Sequence, residues 1–392
     1  MSIKVLHVYR TYFPDPPGGV QEAIRQITGA SKLHGINSRI FTLSPNPSPR
    51  QIEKNECVIT RSRSWLAPAS CDIGGFDALA RFRSEVDWAD LINYHFPWPF
   101  ADVLHFMSLV NKPAVLTYHS DIVRQRLLGK FYEPLMRRML RSMAAVVATS
   151  PAYAQTSKVL QNFVSPERLK IIPLGITDYR DKSIDADLEN KLFDKFSLRD
   201  KPFVLALGAM RYYKGFHTLV EAASRINGTI IIAGSGPEEI HLRKLATDKG
   251  VNNVLFVGQI SDDEKLFFLK NCSIFALPSH LRSEAFGMVL IEASMFGKPM
   301  VCCEIGSGTS YVNIHNQTGF VVLPESPDLF AEAVNLLISS EELACKMGMS
   351  ARRRFEEFFS GEALGAAYSM LYNRVLSLSA LDQSPLMLQK RE

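Results

Sequence analysis

Two carboxylates in the stretch Pro278–Pro299 have the type and spacing for binding a polar ligand. Glu284 and Glu292 stand eight residues apart, with A-F-G-M-V-L-I between them. From Gly287 onward apolar residues recur at helical spacing, so Glu284 is predicted just before a helix and Glu292 in its second turn. Carboxylates accept hydrogen bonds from sugar hydroxyls, and helix N-termini attract phosphate. The stretch could therefore hold a sugar nucleotide, although a first-turn dipole partner and a solvated surface charge fit the same pattern.

The element that must position these carboxylates is the segment before them. Ser273 to Ser279 reads S-I-F-A-L-P-S, a short apolar run typical of a buried parallel strand. The loop from His280 to Gly287 then lies at the carboxyl end of that strand. In open α/β sheets this edge binds ligands.

Two loops in the first half place further candidates at the ends of predicted strands. Gly18-Gly19 follows the strand Ile3 to Val8 and precedes a helix starting at Val20, a position that suits either a bound anion or a tight turn. His119 and Asp121 of T-Y-H-S-D follow the predicted strand Ala114 to Tyr118. A lone histidine in such a place is more often a structural hydrogen-bonder than a ligand contact.

The segment His95 to Phe100 combines aromatic residues with two prolines. Prolines restrict the preceding residues to extended conformations, so we expect a rigid, partly exposed loop rather than a helix. The loop could shape an acceptor site, and a packed aromatic plug is equally compatible with the sequence.

A basic segment follows, from Arg124 to Arg141. Between Asp121 and Ser142 the chain carries six basic and two acidic residues, a net charge of 6 − 2 = +4, equal to that of the whole chain. Arginines interleaved with Leu, Phe, Tyr and Met suit an anionic membrane surface. Two solvated amphipathic helices that cover a sheet are the alternative.

Composition limits the class of protein. The chain has 392 residues, 46% hydrophobic and 21% charged, which suits a soluble protein of two domains. A net charge of +4 is too small to indicate nucleic acid binding. No apolar run reaches the length of a membrane span. The six cysteines form no C-x-x-C pair, which favours buried, reduced thiols and the cytoplasm.

Alternating strand and helix patterns predict α/β domains with doubly wound parallel sheets. We place the first domain at residues 1–178 and the second at 179–362, with a helix at about 363–378 that crosses back onto the first. Thr177 to Asp200 reads as a charged linker with a short helix. It contains Asp185-Ala186-Asp187, a possible metal motif that we discount as solvated surface because no strand precedes it.

Several of these motifs together resemble the retaining family-4 glycosyltransferases. They are E-x7-E followed by A-x-x-x-G-K-P, the pair Lys214-Gly215, the pair Gly18-Gly19, and T-Y-H-S-D. The resemblance implies the GT-B fold, in which two Rossmann-like doubly wound domains face a central cleft. It implies that the second domain holds most of the donor nucleotide and the first most of the acceptor.

The resemblance also implies roles for individual residues. Catalytic roles fall on Glu284, which would contact the hydroxyls of the donor sugar, on His119 near the anomeric carbon, and on Lys214 at the diphosphate. We expect Glu284 to be an exposed loop carboxylate that matters for activity and little for folding. The remaining donor-binding positions would be Gly18 and Gly19 beside the diphosphate, Arg211 as a second cation, Gly258, Gln259 and Ile260 at the base, Ala285, Phe286, Gly287 and Met288 at the helix N-terminus, and Glu292 at the ribose.

The chain departs from the family pattern in one cationic position. The family usually reads G-R-L-x-x-x-K-G, and here Ala209 stands where the arginine is expected, with Arg211 two residues further on. A noncatalytic assembly subunit of the same fold is therefore a rival interpretation. A nucleotide-sugar epimerase is another, but it needs further acid and base groups that the sequence does not show. A Glu that the family commonly carries is also absent between Ser307 and Ser310.

Within the family the motifs look most like bacterial O-antigen mannosyltransferases. This resemblance implies transfer of mannose from GDP-mannose to a lipid-linked saccharide, with GDP-rhamnose or a UDP-sugar as alternative donors. It implies no cofactor beyond the sugar nucleotide and no required metal. It also favours peripheral contact with the inner face of the cytoplasmic membrane through the basic segment, and no nucleic acid partner.

Overall fold

The structure of the chain is a computed structural model that describes residues 2–15, 18–68, 71–122, 126–199 and 201–382. The side chains of residues 126–130 and 382 lie outside that description. The chain divides into two compact units. One contains the described residues up to Thr177 together with those from Gly361 onward, and the other contains Asp178–Ser360.

The first unit is an α/β layer structure with a mostly parallel sheet. Its strands are β1 Ile3–Val8, β2 Ile36–Ser44, β3 Gln51–Glu53, β4 Val58–Leu66, β5 Ile73–Gly74, β6 Leu91–Phe96, β7 Ala114–Tyr118, β8 Ala145–Ala148 and β9 Leu169–Ile171. Its helices are α1 Gly19–Lys32, α2 Phe76–Trp88, α3 Pro99–Met107, α4 Arg126–Ser142, α5 Pro151–Thr156, α6 Lys158–Phe163 and the C-terminal helix Gly361–Asp382.

The strand order of this sheet is β3-β4-β2-β1-β6-β7-β8-β9, with β5 also paired to β4. β3 and β5 run antiparallel to β4, and the other neighbours are parallel. The chain thus winds outward from β1 on one side and from β6 on the other. The point between β1 and β6, where the winding direction reverses, is the usual ligand site of such a sheet.

The C-terminal helix completes the core of the first unit. Tyr368 and Tyr372 are buried in the same cluster as Val5, Leu91 and Val115, which lie on three neighbouring strands. The Tyr372 hydroxyl accepts a hydrogen bond from Asn93 Nδ2 at 2.8 Å, and the Tyr368 hydroxyl lies 3.1 Å from Thr117 Oγ1. The helix therefore covers one face of the sheet and satisfies its buried polar groups.

The second unit is a parallel six-stranded sheet in the described residues, with helices between its strands. The strands are β10 Phe203–Leu207, β11 Thr229–Ala233, β12 Val254–Gly258, β13 Ile274–Leu277, β14 Met300–Cys303 and β15 Gly319–Val322. The helices are α7 Ala186–Phe196, α8 Phe216–Ala222, α9 Glu239–Asp248, α10 Asp262–Asn271, α11 Met288–Met295, α12 Thr309–Val312, α13 Pro327–Ser339 and α14 Glu341–Arg354.

The strand order β12-β11-β10-β13-β14-β15 reverses direction between β10 and β13. All five pairings are parallel. Apolar residues of these strands, such as Val204, Ile230 and Val301, pack against α8 and α13 in one cluster. Strands buried on both faces explain the continuous apolar runs in the sequence.

Helix α7 is the short helix predicted between Thr177 and Asp200, but the prediction that this segment is a linker is wrong. Phe193 packs edge-on against Phe267 at a ring distance of 4.8 Å, so this segment is part of the second unit. Asp185 is the N-cap of α7, because its carboxylate accepts a hydrogen bond from the Leu188 amide at 3.0 Å. The D-x-D pattern is thus a helix start.

The segment His95 to Phe100 also differs from its prediction. Helix α3 begins within it, at Pro99, a position where the missing amide hydrogen costs nothing. Trp98 is 1% exposed, and its indole nitrogen donates to the Asp72 carbonyl at 2.8 Å. The prediction of a partly exposed loop is wrong, and the aromatic plug is what the structure contains.

All six cysteines are free. Cys57, Cys272, Cys302 and Cys303 are buried as the sequence predicts, but Cys71 is half-buried and Cys345 is exposed. Burial raises the pKa of the Cys272 thiol to about 11, so the buried thiols stay protonated.

Candidate functional site

The second sheet brings two sequence motifs to its reversal point. The turn Tyr212–Lys214 follows β10, and the loop that carries Glu284 follows β13, the neighbouring strand. Both segments leave the carboxyl ends of adjacent parallel strands. They are therefore side by side although 70 residues separate them along the sequence (284 − 214).

Lys214 and Glu284 form a buried ion pair at this point. Each residue is 8% exposed, and the Ser279 hydroxyl donates to Glu284 Oε2 at 3.2 Å. Burial alone would lower the pKa of Lys214, but the Glu284 carboxylate outweighs this effect and raises it. The lysine is thus a fixed cation whose charge is held at a strand end.

Gly215 explains how the lysine turn can approach the second loop. Its φ of +69° is left-handed, and a Cβ there would overlap the Pro278 carbonyl oxygen. Only glycine satisfies both conditions. The rings of Tyr212 and His280 pack edge-on at 4.8 Å, which is a further contact between the two segments.

The loop after Glu284 ends at the N-terminus of α11. Gly287 is the N-cap, with a φ of +84°, and no side chain caps the helix there. Phe286 is buried, whereas Ala285 and Met288 are half-buried. The Ala285 carbonyl accepts a hydrogen bond from the Gly308 amide at 2.9 Å, which ties the loop to the glycine-rich segment after β14.

Glu292, in the second turn of α11, is held by two neighbours. Its Oε1 accepts from Lys265 Nζ at 2.8 Å and from the Tyr179 hydroxyl at 3.1 Å. Lys265 lies in the first turn of α10, a helix that Ser261 and Glu264 start with a reciprocal capping box. The alternative that Glu292 is a solvated surface charge is therefore wrong, because its carboxylate is paired.

Arg211 and Ala209 are both exposed. Arg211 is the N-cap of the turn that ends at Lys214, and its carbonyl accepts from the Lys214 amide at 2.9 Å. In the described part of the chain no side-chain partner of Arg211 is found. The guanidinium stands three residues before Lys214, on the same turn, and is available to a ligand.

The loop expected at the base lies at the end of β12. Gly258 has a φ of +73°, and its carbonyl accepts from the Gly234 amide at 2.8 Å. Gln259 is exposed and accepts from the Ser235 hydroxyl at 3.2 Å, and Ile260 is half-buried. The Gly234-Ser235-Gly236 segment packs its backbone against residues 208–210, which explains its glycines without a dinucleotide.

In the first unit, Gly18 and Gly19 begin α1. Gly18 is the N-cap, no side chain caps the helix, and both glycines are exposed. A Cβ on Gly19 would meet nothing within 4 Å. The N-terminus of this 14-residue helix is thus open at the reversal point between β1 and β6.

His119 follows β7 and is buried, with 5% of its surface exposed. Its amide donates to the Phe96 carbonyl at 3.1 Å, and its Nε2 lies 2.9 Å from His95 Nδ1. Burial lowers the pKa of His119 to about 3, so the imidazole is neutral at physiological pH. Asp121 is fixed by the hydroxyls of Tyr118 and Ser157, which donate to its Oδ1 at 2.8 and 2.7 Å.

Sequence reasoning missed the residues that support these side chains. Nothing in the sequence distinguishes Ser279 and Lys265 from other polar residues. The fold places them against Glu284 and Glu292, respectively. His95 was assigned to an aromatic loop. Only a knowledge of which strands are neighbours could have joined it to His119.

The described residues that could hold a divalent cation are His217, His280 and Glu325, whose ligand atoms lie within 4.8 Å of one another. Glu325 is exposed, and the two imidazoles pack edge-on at 5.0 Å. We assign the histidines to the packing of the Lys214 turn.

The basic segment forms α4, apart from Arg124, which lies outside the described residues. Met136, Met139 and Leu140 face the interior, whereas Arg137, Arg138 and Arg141 are exposed. Phe131 is 87% exposed. Within the described residues, no helix has the length and apolar character to span a bilayer.

Two family models match the chain. Residues 17–180 match "Glycosyltransferase Family 4", and residues 189–354 match "Glycosyl transferases group 1".

Two curated proteins are similar over almost the whole chain. D-rhamnosyltransferase WbpZ of Pseudomonas aeruginosa is 41% identical over 359 residues, which cover 91% of this chain and 92% of WbpZ. O-antigen chain mannosyltransferase C of Escherichia coli is 37% identical over 374 residues, covering 95% of this chain and 99% of that protein.

Among solved structures, sucrose-phosphate synthase of Thermosynechococcus elongatus superimposes with a TM-score of 0.76. The match covers 96% of this chain and 100% of the synthase chain at 22% sequence identity. At that identity the likeness concerns the fold.

Proposed function

The chain belongs to the family-4 glycosyltransferases, which have the GT-B fold with two Rossmann-like domains, and from that premise we propose that it transfers mannose from GDP-mannose to a lipid-linked saccharide in O-antigen synthesis. The transferase class follows from the family. The name of the Escherichia coli relative supports the sugar and the pathway.

One observation carries this proposal, the buried pair of Lys214 and Glu284 at the reversal point of the second sheet. An ammonium suits a diphosphate, and a carboxylate suits sugar hydroxyls. The N-terminus of α11 lies three residues beyond Glu284. Its free backbone N–H groups carry a partial positive charge, which adds to the charge of the lysine. A sugar nucleotide combines the two chemistries that these groups recognise.

The chemistry follows from stabilisation of the leaving diphosphate. As the bond to the anomeric carbon breaks, negative charge grows on the phosphate, and Lys214, Arg211 and the α11 N-terminus stabilise it. Among the described residues no carboxylate is evidently placed as a nucleophile, so retention is most simply a front-face substitution. In that step the acceptor oxygen bonds to the anomeric carbon, the phosphate oxygen leaves with the electron pair, and it takes the acceptor's proton.

The test is transfer to a lipid-linked saccharide with GDP-mannose, GDP-rhamnose and UDP-sugars offered separately. We expect GDP-mannose to give product with the donor's anomeric configuration, in the presence of EDTA, because fixed cations replace a metal. Preference for a UDP-sugar would overturn the donor assignment. Binding of GDP without transfer from any donor would favour the noncatalytic subunit that Ala209 suggests.

GDP-rhamnose is the second candidate donor, and a specific observation favours it. The rhamnosyltransferase WbpZ is 41% identical to this chain, against 37% for the mannosyltransferase. The two sugars differ in one hydroxyl. A competition assay with both donors at equal concentration shows which donor the enzyme prefers.

We also propose that the enzyme works at the inner face of the cytoplasmic membrane. The apolar side of α4 packs into the interior, so the contact is electrostatic, through the exposed Arg137, Arg138 and Arg141. The exposed Phe131 lies on the same helix. The same unit also has an apolar groove lined by Phe76 and Met107, both more than half exposed.

A further inference from the structure

Four polar side chains cross the first sheet on a diagonal. Ser38 on β2 is paired with Val5, and His7 stands two residues beyond Val5 on β1. His7 is paired with Asn93, and His95 stands two residues beyond it on β6. His95 is paired with Thr117, and His119 stands two residues beyond that residue. Steps of two keep side chains on one face of a sheet.

The diagonal is a continuous series of hydrogen-bond contacts. Ser38 Oγ lies 3.5 Å from His7 Nε2, His7 Nδ1 lies 3.0 Å from His95 Nε2, and His95 Nδ1 lies 2.9 Å from His119 Nε2. Neighbouring imidazole planes are within 20° and 22° of parallel. All four residues are buried, and burial lowers the pKa of all three histidines well below the usual range.

Neutral imidazoles in such a series must all donate in the same direction. Each has one N–H and one acceptor nitrogen, so the choice at one ring fixes the next. If the rings donated toward Ser38, its hydroxyl hydrogen would be left without an acceptor in the described residues. If Ser38 donates to His7 Nε2, every donor inside the series has its acceptor, and the one donor left over is the Nδ1–H of His119, a nitrogen that is not fully enclosed. An unsatisfied buried donor is costly, so the second direction is favoured.

We propose that Ser38, His7 and His95 are positioning residues that hold His119 protonated on Nδ1, so that it presents an N–H donor to an oxygen of the sugar substrate. The role of His119 toward a sugar rests on the proposed function. The hydrogen-bond direction does not, since it is a property of the protein alone. Nδ1 of His119 is the one ring nitrogen of the three histidines that makes no contact within the series.

Nitrogen NMR of the full-length protein with labelled histidine measures the direction without any substrate. Long-range ¹H–¹⁵N correlation distinguishes protonated from unprotonated ring nitrogens, and single substitutions assign the signals. We expect Nδ1–H at His7, His95 and His119 from pH 6 to 8, with no titration. Nε2–H or a titrating imidazolium at His119 would overturn the proposal.

Substitution of the middle ring tests the coupling. His95→Phe removes both hydrogen bonds, and we expect the His119 nitrogen shifts to move toward a tautomer mixture and kcat to fall roughly tenfold. His95→Gln carries one donor and one acceptor and should restore the Nδ1–H signal and most of kcat. His105→Phe is the matched control, because His105 is another buried histidine of the same unit and bonds Tyr94 instead.

The outcomes separate the two proposals. Unchanged His119 shifts in folded His95→Phe would contradict the coupling, and an unchanged kcat would contradict the role toward substrate. The expected shifts in a protein that transfers no sugar from any donor would reject the proposed function and leave the hydrogen-bond series standing. Melting curves of each variant show whether it folds.

Discussion

Lys214 and Glu284 illustrate how much burial changes the role of a single residue. The sequence indicated an exposed loop carboxylate, and that expectation is wrong because Glu284 is buried against the lysine. Removing one partner of a buried ion pair leaves the other charge unpaired in the protein interior, where it is poorly solvated. The pair therefore has to be studied by removing one partner and then both.

We expect Glu284→Ala to lower the free energy of unfolding by roughly 3–5 kcal/mol, the usual effect of breaking a buried pair. It should also reduce transfer by at least roughly a hundredfold. The double variant Lys214→Met with Glu284→Leu should recover most of the stability and none of the activity. Urea unfolding and transfer assays measure both quantities. A single variant as stable as the parent would contradict the buried pair.

Arg211 is the second residue with a clear test. If it has replaced the arginine missing at Ala209, then Arg211→Ala should weaken binding of GDP and GDP-mannose by roughly 1.5–3 kcal/mol, the range for hydrogen bonds to a charged group. Ala209→Arg should then add little. Isothermal titration with GDP, UDP and ADP measures these changes and the base preference. No effect of Arg211→Ala, with a gain from Ala209→Arg, would reverse the assignment.

At the scale of elements, the sequence predicts what depends on local pattern. The apolar run of β13 and the helical spacing of α11 place Glu284 and Glu292 as the structure has them. Patterns fail where a segment's state depends on distant partners. Helix α7 packs on α10 through Phe193, and the buried Trp98 donates a hydrogen bond to the Asp72 carbonyl. Local spacing reveals neither contact.

Helix α4 carries the prediction for membrane contact. Reversing Arg137, Arg138 and Arg141 to Glu should release the protein from anionic liposomes, since each basic residue near such a surface contributes about 1 kcal/mol. High salt should release the unmodified protein as well.

The matched control for this experiment reverses Lys201, Lys244 and Lys249, three exposed lysines of the second unit. Both triple variants change the net charge by 3 × −2 = −6, from the +4 of the whole chain. Release by both variants alike would show that only net charge matters, and retention of the α4 variant would reject the membrane contact.

At the scale of the whole molecule, buried titrating groups predict how stability depends on pH. His7 and His119 have folded-state pKa values of about 3, that of His105 is about 4, and that of His95 lies well below 6.5, all because of burial. The unfolded chain protonates these groups below about pH 6.5. Their contribution to stability is therefore complete above that pH and is lost as the pH falls.

Asp102 acts in the opposite direction, because burial raises its pKa to about 7. Asp102 opposes these four histidines, and His280, whose pKa is also lowered by burial, acts with them, so the protein loses stability in acid. We expect the free energy of unfolding to fall by at least roughly 3–4 kcal/mol between pH 7.5 and 5.5. Urea unfolding at the two pH values measures it, and His105→Phe should reduce the difference. Equal stability at both would show that the histidines are not buried as neutral rings.

The C-terminal helix has a consequence for synthesis. A ribosome delivers the residues up to Thr177 first, then the entire second unit, and only then the helix whose Tyr368 and Tyr372 reach Thr117 and Asn93. Until that moment the sheet of the first unit exposes an apolar face with unsatisfied polar groups. The part of the chain that is made first is thus the last to be completed. Nascent chains that end before Gly361 still expose this apolar face, and we expect chaperones to bind them there.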